Sequence, residues 1–157
     1  MSRPVQRAEA LHVARSRVID AFGEVELAIV TLLRGTEAKV LKAPLSQKIA
    51  AARKIEPNPR YSRKRRDAVH EALDALTPLL IRRAEIAHST MLVVRVHGEG
   101  DDRAGFSNPA TQPERGESLV LYRTQELADL AKDIRAIAHR LADEVSPASS
   151  PPPPSPA

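Results

Sequence analysis

The sequence predicts an all-α fold: a four-helix bundle with a small two-stranded β-hairpin inserted before the last helix. Three observations carry that reading. Apolar residues recur at helical spacing in the long stretches at both ends of the chain and in its middle. Aromatic residues make up only 3% of the chain and Trp is absent, so the core must be built from Leu, Ile, Val and Ala, a mixture that favours packed helices over a sandwich or barrel. Only one region, about 90–123, changes to the apolar, β-branched character of strands. With 157 residues the expectation is one domain, a helical bundle over 1–145, followed by a Pro/Ser-rich tail over 146–157 that has nothing to bury and is expected to be disordered.

The first helix runs from Val5 to about Arg34. Leu11, Val18, Val25 and Leu32 recur every seven positions, with Phe22 and Ile29 one turn around, and Gly35 stands where a C-terminal cap is expected. A shorter helix covers Leu45 to Ile55 and is stopped by "EPNP", whose two prolines remove backbone donors. The third, "SRKRRDAVHEALDALTPLLIRRAEIAH", places Val69, Leu73, Leu76, Leu80, Arg83 and Ala87 at steps of three and four, with a kink or restart expected at Pro78. "TMLVVRVHG" and "ESLVLYRT" then read as two antiparallel strands around a long mobile tip rich in Gly, Pro, Asp and Asn. Thr124 is the expected N-cap of the last helix, whose Leu127, Leu130, Ile134, Ile137 and Leu141 share a face.

Composition excludes several classes of chemistry. The chain has no Cys, which removes disulfides, thiol nucleophiles and thiolate metal sites. No Walker or dinucleotide glycine pattern and no His-x3-His spacing occurs, so neither a cofactor nor a metal site is expected; His97 with Asp101 and Asp102 reads as a flexible acidic loop. No apolar run approaches the roughly 20 residues needed to span a bilayer, and the start has no signal-peptide core, so no membrane association and a cytoplasmic, reducing compartment are expected. Charge is uneven: residues 1–97 carry 18 Lys+Arg against 10 Asp+Glu, and residues 98–157 carry 6 against 10. Such a one-sided field suits a polyanion partner.

Arg83 is the most informative residue. Its helical neighbours Leu79, Leu80, Ile86 and Ala87 are apolar, whereas Arg82 has Glu85 three residues on. A guanidinium on an apolar stripe needs a carboxylate on another helix, a second subunit or a ligand phosphate, or else its head must snorkel to water. Asp20, Glu24, Glu26, Asp129 and Asp133 are the carboxylates that could serve. His88 closes the same helix; it reads either as a terminal residue near the last carbonyls or as a proton carrier beside Arg83.

Arg83 and His88 together, in "RRAEIAH" near the end of an apolar helix of a helical chain, resemble the HEPN superfamily, whose signature is Arg, four to six residues, then His. The resemblance extends to the order of elements over roughly residues 5–145. One departure is Ala84, where a polar residue is common. The resemblance implies metal-independent RNA cleavage in a homodimer, with Arg83 and His88 catalytic, or a relative that binds RNA without cleaving it. "RAIAH", Arg135 to His139, has a spacing one residue too short.

"RKIEPNPRYSRKRR", Arg53 to Arg66, holds seven basic residues and one acidic one. Arg60, Arg63, Lys64, Arg65 and Arg66 could bind RNA phosphates, with Tyr61 as a stacking platform; the alternative is a solvated loop and helix start. The expected partners are therefore RNA, a second copy of the chain and a cognate antitoxin or other protein. The competing class is a helical protein-interaction module without catalytic activity.

Overall fold

The computed structural model describes residues 3–34, 38–95, 102–107 and 119–145. The chain is mostly helical with a small three-stranded antiparallel sheet. In order it forms α1 (Arg3–Leu32), α2 (Ala38–Leu41), α3 (Leu45–Arg53), α4 (Arg63–Leu76), a 3₁₀ turn (Thr77–Leu79), α5 (Leu80–His88), β1 (Thr90–Arg95), β2 (Asp102–Ser107), β3 (Val120–Tyr122) and α6 (Thr124–Val145). Gly35, His97, Asp101 and the 146–157 tail lie outside the described residues, as do the strand-flanking segments 96–101 and 108–118.

The heptad stripe of α1 is the spine of the core: Leu11, Val18 and Val25 are fully buried and Phe22 and Ile29 nearly so. At the last repeat the buried residue is Leu33 rather than Leu32, because a straight helix drifts about 20° per heptad from a strict seven-residue repeat. Helix α6 packs along α1, and α4 packs on α6. Leu127, Ile134, Ile137 and Leu141 face the core as expected, joined by Ala131 and Ala138. These alanines allow the close approach of α6 to its neighbours. Helix α6 begins at its expected cap, one residue earlier than that cap implies: Thr124 is its first residue, and the Glu126 carboxylate accepts from the Arg123 N–H at 2.6 Å, so an acidic side chain in the first turn satisfies that donor.

Two expectations are corrected here. Where four helices were expected, the described residues carry six helical segments and a 3₁₀ turn: a short α2 precedes α3, and the third helix restarts after Pro78 as expected. The expected two-stranded hairpin is a three-stranded sheet in the order β1-β2-β3, since "DRAGFS", read as part of a mobile tip, forms the central strand. Its intrinsic strand preference is weak. Burial makes it a strand: Ala104 and Phe106 enter the core, Met91 pairs with Phe106, and Ala104 pairs with Tyr122. Gly105 lets the Leu119 side chain lie over the backbone, 3.0 Å from where a Cβ would stand. Among the described residues no helix is long and apolar enough to cross a membrane.

Candidate functional site

The orientation of α5 is set by the turn before it. Val69, Leu73 and Leu76 of α4 are fully buried, and a continuous α-helix would carry that face on to Leu80, Arg83 and Ala87. Pro78 cannot donate to the helical ladder, and the chain passes through three 3₁₀ residues, each turning about 120° instead of 100°. The accumulated rotation of about 60° moves Ile86 into the core and leaves Arg83 and Ala87 at its margin, both half-buried. Thus Arg83 does not sit on the buried stripe. Arg15 of α1 holds the far end of α5: its Nε donates to the Ile86 carbonyl and its Nη2 to the Ser89 carbonyl, both at 3.1 Å, while the guanidinium lies 5.9 Å from the centre of the Phe106 ring. Carbonyls left open at a helix end thereby gain a charged donor. Ser89, in an extended conformation, then turns the chain into β1.

Arg82 and Glu85 pair as their spacing suggested, and β3 completes the cluster. Arg82 Nη1 donates to the Tyr122 hydroxyl at 2.8 Å, the hydroxyl donates to Glu85 Oε2 at 3.2 Å, and Arg82 Nη1 stands 3.6 Å from the same oxygen. Glu85 is buried, so these donors replace its lost hydration. Burial pushes the Tyr122 phenol above its ordinary value; Arg82 opposes this shift and the Glu85 carboxylate adds to it. Burial disfavours the charge on Arg82, but its contacts with Tyr122 and Glu85 outweigh that and hold the guanidinium above its usual value.

Arg83 reaches Glu26 of α1, one of the carboxylates named from sequence, with Nη2 4.0 Å from Oε2. That contact is long because Glu26 already serves another cation. Lys48 of α3 is 5% exposed, and its ammonium bonds to Glu26 Oε1. A buried ammonium has the stronger claim on the shared carboxylate, since Arg83 keeps about a third of its side chain in water. His88 is exposed and, among the described residues, has no hydrogen-bond or ion-pair partner. It shares the outward face of α5 with Ile81 and Ala84, which precede it by seven and four residues. Ile81 is half exposed. Five residues separate Arg83 from His88, about 140° around the helix, so the two diverge within one chain.

The basic segment divides into two groups. Arg60, Arg63 and Lys64 are exposed. Arg65 and Arg66 are half-buried and have partners: Arg65 Nε lies 4.0 Å from Glu144 of α6, and Arg66 Nη1 lies 3.4 Å from Glu56. The Ser62 hydroxyl caps α4 by accepting from the Arg65 N–H at 3.3 Å, and no acidic residue occupies the first turn. Tyr61 is corrected as a stacking platform: only 7% of it is exposed and its ring belongs to the core. A tight 58–61 turn causes this. Asn58 and Tyr61 exchange two backbone hydrogen bonds of 2.9 Å, and the Asn58 side chain also accepts from the N–H groups of Arg60 and Tyr61. The turn directs Arg60 outward and Tyr61 inward.

Arg135, of the shorter Arg-x3-His spacing, bonds Glu24 at 3.1 Å, and the exposed His139 borders a largely apolar groove of about 370 Å³ between α1 and α6, beside Leu27 and Ala142. Lys48, Arg15 and Tyr122 were not singled out from sequence. Lys48 was detectable by the criterion applied to Arg83, since it falls on the Leu45, Ile49 and Ala52 face of α3. Arg15 lies between Leu11 and Val18 and was detectable in the same way. Nothing in the sequence links Tyr122 to Glu85. No family model matches the chain, and no curated protein or solved structure matches it.

Proposed function

We propose that this chain is a HEPN-like, RNA-directed protein that acts as a homodimer, with Arg83 and His88 as the catalytic pair of a metal-independent endoribonuclease. The observation that carries this reading is the division of labour on α5. Arg82 and Glu85 are tied to Tyr122, whereas Arg83, about a third of its side chain exposed, has among the described residues one long contact, and His88 is exposed. In this reaction His88 takes the proton from a ribose 2′-hydroxyl. The 2′ oxygen bonds to the adjacent phosphorus, the bond from phosphorus to the 5′ oxygen breaks, the leaving oxygen takes a proton from water, and a 2′,3′-cyclic phosphate and a 5′-hydroxyl result. Imidazole suits the proton transfer because its ordinary pKa lies near neutrality. Arg83 places paired donors on the phosphoryl oxygens as negative charge develops there.

The dimer follows from the divergence of the two side chains. A second copy packed on the Ile81, Ala84 and His88 face would bring one protomer's His88 towards its partner's α5 and cover the exposed Ile81. Arg60, Arg63 and Lys64 supply sequence-independent attraction for the RNA backbone. The test is incubation of the purified protein with total RNA, scoring 2′,3′-cyclic ends. Arg83→Ala and His88→Ala each abolish cleavage with circular dichroism and oligomeric state unchanged. Cleavage that survives either substitution, or a dimer that never cleaves, sinks the catalytic assignment; RNA binding without cleavage points to the non-cleaving relative and to Ala84 as the cause.

A helical interaction module is the second reading, favoured by the Arg83–Glu26 contact within one chain and by the apolar α1/α6 groove, where Leu27 is 65% exposed. Under that reading Leu27→Asp abolishes capture of a protein partner such as a cognate antitoxin, and Arg83→Ala has no RNA phenotype.

A further inference from the structure

A cleft of about 400 Å³ opens where the C-terminal ends of α1 and α6 meet the 55–61 segment and the first turn of α4. Arg34, Arg60 and Arg65 line it, against one carboxylate, Glu144. Tyr61 also lines it, and its hydroxyl is shut from solvent with no hydrogen-bond partner among the described residues. The residue is more than nine-tenths buried. We propose that this cleft binds a phosphomonoester of mononucleotide size, the phosphate held by Arg34 and Arg60 and an acceptor oxygen meeting the Tyr61 hydroxyl.

Several features converge on that ligand. Three guanidiniums around one carboxylate leave a positive excess, and arginine forks match phosphate oxygens. The phenol of Tyr61 is pushed up, chiefly by burial, against the opposing influence of Arg66; it therefore stays protonated at neutral pH and can only gain by donating to an acceptor. Arg65 stands 4.0 Å from Glu144 and its Nη1 donates to the Arg60 carbonyl at 3.5 Å, which holds its guanidinium at the edge of the cleft beside Arg60. The space exceeds what a bare phosphate fills, and Ile55 and Val145 provide an apolar wall for a sugar and base. The tight 58–61 turn fixes the backbone that carries Arg60 and Tyr61, so binding does not have to order that loop.

The inference rests on the RNA-directed reading for the polymer to which such a phosphate belongs. The cleft lies apart from α5: Leu32, which lines it, is six residues from Glu26, about 9 Å along α1. Binding here and cleavage at Arg83 and His88 can therefore fail separately.

The experiment is calorimetric titration of the full-length protein with 5′-AMP, inorganic phosphate and adenosine. AMP binds about tenfold or more tightly than phosphate, and adenosine shows no heat of binding. Arg34→Gln and Arg60→Gln each weaken AMP about tenfold, and Tyr61→Phe, which keeps the buried ring, weakens it about three- to tenfold without lowering the melting temperature. Lys64→Gln, on the same basic segment but outside the cleft, changes it by less than about twofold, and His88→Ala leaves it unchanged. The proposal is overturned if AMP does not bind at millimolar concentration, if adenosine binds as well as AMP, or if phosphate binds as tightly as AMP. It is overturned equally if Lys64→Gln costs as much as Arg34→Gln and Arg60→Gln, which would mark diffuse attraction. Loss of RNA cleavage with AMP binding retained would count against the α5 assignment alone.

Discussion

The Tyr122 hydroxyl donates to Glu85 Oε2 at 3.2 Å, joining β3 to α5 across 37 positions of sequence. The carboxylate it serves is buried, and Arg82 bonds the same hydroxyl from the other side. Tyr122→Phe keeps the edge-on contact with Phe106, at 5.8 Å between ring centres, and removes only the donor. The expected loss is about 1.5–3 kcal/mol in urea unfolding, the usual range for one buried bond to a charged group. A variant as stable as the parent would show that Arg82 and the other contacts of Glu85 satisfy it without the hydroxyl.

Alkaline titration reads both tyrosines directly, because the chain has two and no tryptophan. Both phenols are raised by burial. The folded protein therefore develops phenolate absorbance only above the ordinary value of about 10, whereas the urea-unfolded chain titrates near it. A group whose pKa is higher folded than unfolded binds protons more tightly in the native state. Its contribution to stability is intact below about pH 10 and falls as pH rises towards the folded pKa. Tyr122→Phe should flatten part of that alkaline decline. A native titration curve superimposable on the unfolded one would contradict the burial of both hydroxyls.

Glu26 is predicted to matter to the fold through Lys48 more than through Arg83. Glu26→Gln leaves a nearly buried ammonium without its counter-ion and is expected to cost about 2 kcal/mol, discounted because Glu26 is itself about a third exposed. Lys48→Met, which removes the buried charge and keeps the volume, should be close to neutral. Arg83→Ala should cost less than about 0.5 kcal/mol, since its ion pair is long and partly solvated. Chemical denaturation of the three variants checks the order. An Arg83→Ala loss equal to that of Glu26→Gln would make the arginine a structural strut and weaken its assignment to chemistry.

Arg15→Lys tests the clamp on α5. A lysine cannot span two carbonyls with a rigid fork, so one of the Ile86 and Ser89 contacts is lost, at a cost of about 1 kcal/mol. Hydrogen exchange should accelerate at the end of α5 and into β1 while α6 stays protected. Uniform exchange across the chain would mean that Arg15 supports the whole core instead of one helix end.

The long helices were legible because their signal is local. Leu11, Val18 and Val25, or Leu127, Ile134 and Ile137, declare a buried face without reference to any other element. Pro78 likewise announced a break by its own covalent structure. "DRAGFS" could not be read as a strand, since its residues have little strand preference and its burial comes from β1, β3, α1 and α5 packed around it. Tyr61 was misread for a related reason: a tyrosine among arginines looks exposed until the Asn58 turn is known to fold its ring inward.

Spacing alone identified Arg83 as a cation in need of a partner and named Glu26 among the carboxylates within reach. Two things depended on the assembled fold. The 3₁₀ turn rotated α5 so that Arg83 fell at the edge of the core, and packing of α3 brought Lys48 to Glu26 first. Periodicity along a helix specifies which side chains share a face. The direction in which that face points, and which of two cations a single carboxylate serves, depend on rotations and distances summed over the whole chain.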